Sequence, residues 1–73
     1  MVLAEKIVLL RKRKGWPQEE LADKLDISRQ SVSKWELGAS IPDLDKILRL
    51  SELFDVTTDY LLKDDVREIS SNV

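Results

Sequence analysis

The sequence predicts an all-α fold of five short helices, and three observations carry that reading. Apolar residues recur at spacings of three and four along most of the chain, the period of a helix that buries one stripe. No alternation of apolar and polar residues survives over more than a few positions, so no strand is expected. The punctuation residues are few, 2 Gly and 2 Pro, and they fall between the periodic segments, as tight turns between helices require.

The first helix is expected from about Val2 to Lys14, with Leu3, Ile7 and Leu10 on its buried stripe. Lys12–Lys14 crowd its last turn and Gly15 follows, a stop signal made of cations at the dipole's negative end and a residue free to turn left-handed. The second runs from about Pro17 to Leu25. Pro17 suits a first turn, Glu19 and Glu20 favour the positive end of the dipole, and Leu21, Ala22 and Leu25 face inward. Only Asp26 and Ile27 precede Ser28, a good N-cap, and Asp tolerates the left-handed conformation a sharp turn needs. The third helix spans Ser28 to about Leu37, with Val32 and Trp35 inward and Gly38 closing it. A fourth is expected from Pro42 or Asp43 to Phe54, burying Leu44, Ile47, Leu50 (or Leu48), Leu53 and Phe54. A short fifth follows, capped by Thr57, with Tyr60, Leu61 and Leu62 packing back. Residues 1–62 are read as one domain and 63–73 as a flexible, charged tail.

Composition bounds the function. At 73 residues, with 42% hydrophobic and 36% charged, the chain holds one small core and is not a disordered segment. It has no Cys and no His, so disulfide scaffolds, Cys/His zinc sites and His-based acid/base catalysis are excluded. There is no glycine-rich phosphate loop, and the scattered carboxylates, Asp64–Asp65 included, read as solvated charge; no enzyme, cofactor, metal or small-molecule ligand is expected. The longest strictly apolar run is Ile7–Leu10, against the roughly 20 residues of a membrane span, so neither membrane contact nor a signal peptide is expected, and the reading is cytoplasmic.

The net charge of −2 hides a polarity. Residues 1–16 set Lys6, Arg11, Lys12, Arg13 and Lys14 against Glu5 for +4, whereas residues 17–42 carry −2 and 43–73 carry −4. A basic end facing phosphate accounts for this. So does an ordinary helix C-terminus with cations on its dipole, and the charge pattern alone does not choose.

Two short helices joined by a turn of about three residues, the second with a polar outer face, have the geometry of a helix-turn-helix, whose second helix enters the major groove of double-stranded DNA by its N-terminal end. Arg29, Gln30, Ser33 and Lys34 lie on that face. Their chemistry suits base edges: Gln pairs bidentately with adenine, Arg or Lys with guanine, and Ser with several bases.

The ordered set Ile7-x-x-Leu10-Arg11, Gln18-Glu19-Glu20-Leu21-Ala22, Ile27 through Glu36, and Ile41-Pro42-Asp43 after Gly38 resembles the phage repressor and Cro-like (xenobiotic response element type) helix-turn-helix regulators, over roughly Leu3–Leu62. The resemblance implies a compact five-helix lambda-repressor-like domain with the helix-turn-helix at helices 2 and 3. It implies a base-reading role for Arg29, Gln30, Ser33 and Lys34. Gln18 matches a residue that meets a phosphate and braces a helix 3 side chain, and Ser28, Ser31, Lys12 and Lys14 join it as phosphate contacts. Ala22 matches the small residue at the crossing of helices 2 and 3, Val32 and Trp35 the scaffold beneath the reading face, and Arg11 with Glu36 a structural pair tying helix 1 to helix 3. Arg11 thereby leaves the DNA-binding set.

Two departures stand out. Pro17 occupies a position usually held by Ser or Thr, which removes a capping hydroxyl and about 1 kcal/mol of helix stability, set against proline's fit to a first turn. Asp26 replaces the usual turn Gly and brings a negative charge near the reading face. The resemblance implies transcriptional regulation, as a repressor, by a homodimer on a palindromic operator. Ile41, Val56, Tyr60 and Leu62 are the candidate dimer contacts, with core packing as the competing use, above all for Leu62. The alternatives are a protein-interaction module, supported by the acidic C-terminal half and a pI near 5.0, and an antitoxin that binds both DNA and protein, with the Lys63–Val73 tail as its arm.

Overall fold

A computed structural model describes residues 1–63 and contains the five helices in order: α1 (Leu3–Lys14), α2 (Gln18–Leu25), α3 (Arg29–Leu37), α4 (Leu44–Phe54) and α5 (Thr58–Leu62), with no strand among the described residues. Each helix starts one residue or so later than the periodicity places it, because the residue before it is a cap. Ser28 Oγ accepts from the Ser31 amide at 3.2 Å, Asp43 Oδ1 from Lys46 at 3.0 Å, and Thr57 Oγ1 from Tyr60 at 3.0 Å, each satisfying an amide that has no intrahelical partner. Val2 precedes α1, its amide donating to Glu5 Oε1 at 3.1 Å. Pro17 sits at the N-cap of α2 with φ −69° and ψ 165° rather than inside the first turn, and no side chain caps that helix.

Four of the helices end on a left-handed residue: Gly15 and Gly38 at φ 75° and 77°, Asp26 and Asp55 at 58° and 56°. This conformation turns the chain sharply and lets the next amides bond the helix's last carbonyls, as Ile27 N–H does to Ala22 O at 3.0 Å. Asp26 therefore takes the conformation the sequence reading requires of it.

The core is a single cluster to which every helix contributes: Ile7 and Leu10 from α1, Leu21, Ala22 and Leu25 from α2, Val32 and Trp35 from α3, Ile47, Leu50 and Phe54 from α4, and Leu61 from α5. Leu3, Trp16, Ile27, Leu53 and Val56 pack against its edge, and the Trp16 and Phe54 rings stack with centroids 5.8 Å apart. Three expected core residues are not in it. Leu44 is 69% exposed, Tyr60 40% and Leu62 54%. Leu44 stands in the first turn of α4, turned well away from the Ile47–Leu50–Phe54 stripe, and α5 has only five residues, so one side chain, Leu61, reaches inward.

Lys6 corrects the charge reading. It lies in the buried stripe beside Ile7 and is 4% exposed. Its Nζ donates to the carbonyl oxygens of Tyr60 and Lys63 and stands 4.9 Å from the centroid of the Tyr60 ring. A cation here satisfies the free carbonyls at the end of α5 and ties the first helix to the last. Lys63, read as the start of the tail, is thus held through its backbone; residues 64–73 lie outside the described residues.

Candidate nucleic-acid interface

The outer face of α3 depends on how α2 holds that helix. Ala22 is 2% exposed at the crossing, Leu21 and Leu25 flank it, and Val32 is fully buried beneath α3. A side chain longer than that of Ala would push the helices apart. Ile27 packs on the core between the helices, so the turn is anchored at its middle as well as at its Asp26 bend.

With successive side chains about 100° apart, burying Val32 and Trp35 forces Gln30, Ser33, Lys34 and Leu37 onto the opposite side, with Arg29 on its flank at the N-terminal end. Arg29, Gln30 and Lys34 are exposed and Ser33 is half-buried. Neither Arg29 nor Lys34 forms an ion pair among the described residues, so their charges face outward unneutralised. Ser28 and Ser31 bring their hydroxyls to 3.1 Å. Two hydroxyls that share one hydrogen bond leave one O–H for an external acceptor.

Gln18 opens α2 and is half-buried. Its Nε2 donates to Glu36 Oε1 at 2.9 Å, so it does brace a side chain of α3. The same carboxylate receives Arg11 Nε at 2.6 Å and Nη2 at 3.1 Å, while Arg11 Nη1 donates to Trp16 O at 2.8 Å. Arg11 is thereby fully committed to the scaffold. With Lys6 also withdrawn, the basic end of the molecule reduces to Lys12, Arg13 and Lys14, all exposed. Lys14 Nζ stands 5.9 Å from the Trp16 ring centroid and Lys24 Nζ 4.8 Å from it.

Sequence reasoning missed Leu37 as a member of the outer face, and it missed an apolar cleft of about 250 Å³ between the start of α1 (Val2, Leu3), Trp35 of α3, and the α3–α4 connection (Ile41, Pro42). Of the candidate dimer contacts, Ile41 (78% exposed), Tyr60 and Leu62 are at the surface, whereas Val56 packs against the core. Among the described residues no group of His, Cys, Asp and Glu could hold a metal ion, and no helix is long and apolar enough to cross a membrane.

A helix-turn-helix family model matches residues 7–61. The chain is 42% identical over 67 residues to the HTH-type transcriptional regulator ImmR of Bacillus subtilis (strain 168), covering 90% of this chain and 53% of that protein. It is 40% identical over 62 residues to the SPbeta prophage-derived regulator YonR of the same organism, covering 85% and 57%. It thus spans a little over half the length of these curated relatives. Among solved structures it is similar to the P22 c2 repressor in complex with a synthetic operator, with a TM-score of 0.82, 31% identity, and coverage of 89% of this chain and 98% of that one. These are transcriptional regulators, not enzymes.

Proposed function

The chain belongs to the helix-turn-helix family, in its phage-repressor-like branch, and on that premise we propose that it is a sequence-specific regulator that docks α3 in the major groove of double-stranded DNA. The observation that carries this is the outward face of α3. Among the described residues the side chains of Arg29, Gln30, Ser33 and Lys34 form no hydrogen bond or ion pair there, on a helix whose other side is locked into the core. In this reading Gln30, with Arg29, Ser33 and Lys34, contacts base edges. Phosphates meet the N-terminal turn of α2 at Gln18, the Ser28–Ser31 hydroxyl pair, and Lys12 and Lys14.

One nine-residue helix offers too few contacts for tight specific binding, so the domain acts as a homodimer on half-sites about 34 Å apart. Ile41, Tyr60 and Leu62, which are among the exposed apolar side chains, form the dimer contact. Repression by occupying the operator, in the cytoplasm, is the mode that the likeness to a repressor supports.

Selection of genomic fragments with purified protein at moderate salt tests this. The result expected is a two-fold symmetric motif whose binding weakens steeply as salt rises, because phosphate contacts release counterions. Flat, sequence-independent binding would overturn it and favour a protein-interaction module.

A further inference from the structure

We infer that Leu37 reads the C5-methyl group of a pyrimidine, adding an apolar recognition element to the polar face of α3; the inference rests on the reading of α3 as the groove-docking helix. Seven residues separate Gln30 from Leu37, which at about 100° per residue returns Leu37 to within about 20° of Gln30. Both then point opposite the midpoint of Val32 and Trp35, the two buried side chains of the helix. Leu37 is 78% exposed. After it the chain turns at Gly38 (φ 77°) and folds back, Ala39 N–H donating to Lys34 O at 2.8 Å.

A single exposed Leu is ordinary on a protein surface. Its alignment with the reading residues is what gives this one a task. Gln30 and Leu37 lie about 10.5 Å apart along the helix axis, less than the about 12 Å width of the major groove, so both can lie over the groove at once. Leu37 can neither donate nor accept a hydrogen bond, so among the groups displayed on base edges its partner is the methyl of thymine, or the same methyl on 5-methylcytosine.

The test starts from the selected motif. Synthetic duplexes replace each thymine of a half-site by uracil, which removes only the methyl, and a second set replaces each cytosine by 5-methylcytosine. For the wild-type protein, one replacement per half-site is expected to change the dissociation constant about four-fold, the worth of one buried methyl. Loss at a uracil identifies thymine as the source, and gain at a methylated cytosine identifies 5-methylcytosine. Leu37→Ala, at an exposed site and with good helix propensity, should keep its melting temperature. It should bind the methyl-bearing duplex about four-fold more weakly than wild type and no longer distinguish it from the methyl-free one.

Methyl-insensitive binding by the wild type, or an equal methyl effect in wild type and Leu37→Ala, overturns the inference while leaving the DNA-reading proposal intact. So does a Leu37→Ala loss that is the same on both duplexes. If selection returns no motif, both readings fall together.

Discussion

Glu36, one residue from the end of α3, is held simultaneously by Arg11 of α1 and Gln18 of α2, at 2.6 Å and 2.9 Å. A single carboxylate thus sets the position of α3 against both helices that precede it. The side chains of Arg11 and Glu36 are only 12% and 7% exposed, so this pair differs from the surface bridges Lys24–Glu20 and Lys63–Asp59, both at 3.9 Å. Removing one partner leaves the other charge out of water and uncompensated. Glu36→Ala should cost about 3–5 kcal/mol in denaturant unfolding, and the double variant Arg11→Met/Glu36→Leu should recover most of it. A Glu36→Ala cost below about 1 kcal/mol would place the pair with ordinary surface bridges.

Lys6 closes the fold at its other end. Lys6→Met keeps the apolar stem but strips the carbonyls of Tyr60 and Lys63 of their donor. A loss of about 1–3 kcal/mol is expected. Hydrogen exchange should show the amides of α5 opening before those of α2 and α3; unchanged protection in α5 would argue against the clamp.

The left-handed caps at Asp26 and Asp55 separate glycine from alanine. At φ 58° and 56° a Cβ is unfavourable, and Asp is tolerated where Ala is not. At either site the Gly variant should be about 1 kcal/mol more stable than the Ala variant. Equal stability of the two, measured by thermal unfolding, would mean that the turn relaxes out of this conformation.

Base and phosphate contacts should separate in binding assays. Gln30→Ala should lose roughly 1–3 kcal/mol on the selected motif and relax the preference at one base pair. Lys12→Ala should weaken all duplexes alike and reduce the salt slope by about 1. A uniform loss from Gln30→Ala would remove it from the base readers.

Much of the fold was legible because its signals are local. The inward faces of α2 and α3, the Ser28 and Thr57 caps, and the Gly15, Asp26 and Gly38 stops each depend on residues a turn or less apart, and each lies where the chain predicted it. The polar face of α3 was legible for the same reason, since burying Val32 and Trp35 dictates what faces out. The same geometry places Leu37 on that face, but an apolar residue at a helix end has the chemistry of scaffold. Lys6 also carries a signal, a cation inside an apolar stripe, which its basic neighbours along the chain mask.

Five helices, the Ser28 and Thr57 caps, the Gly15, Asp26 and Gly38 stops, and the outward residues of α3 follow from the chain locally, because a helix fixes its own side-chain directions at 3.6 residues per turn. Which apolar residues enter the core, and the withdrawal of Lys6 from the basic end, follow instead from packing between helices. Lys6 looks like Lys12 and Lys14 in the chain and is withdrawn because the carbonyls of Tyr60 and Lys63, far along the sequence, converge on it. Arg11, which the family resemblance already marks as structural, is held by Glu36 of α3. Leu44 and Leu62 resemble Ile47 and Leu61 and stay exposed, because burial depends on what another helix places opposite, and no local pattern records that.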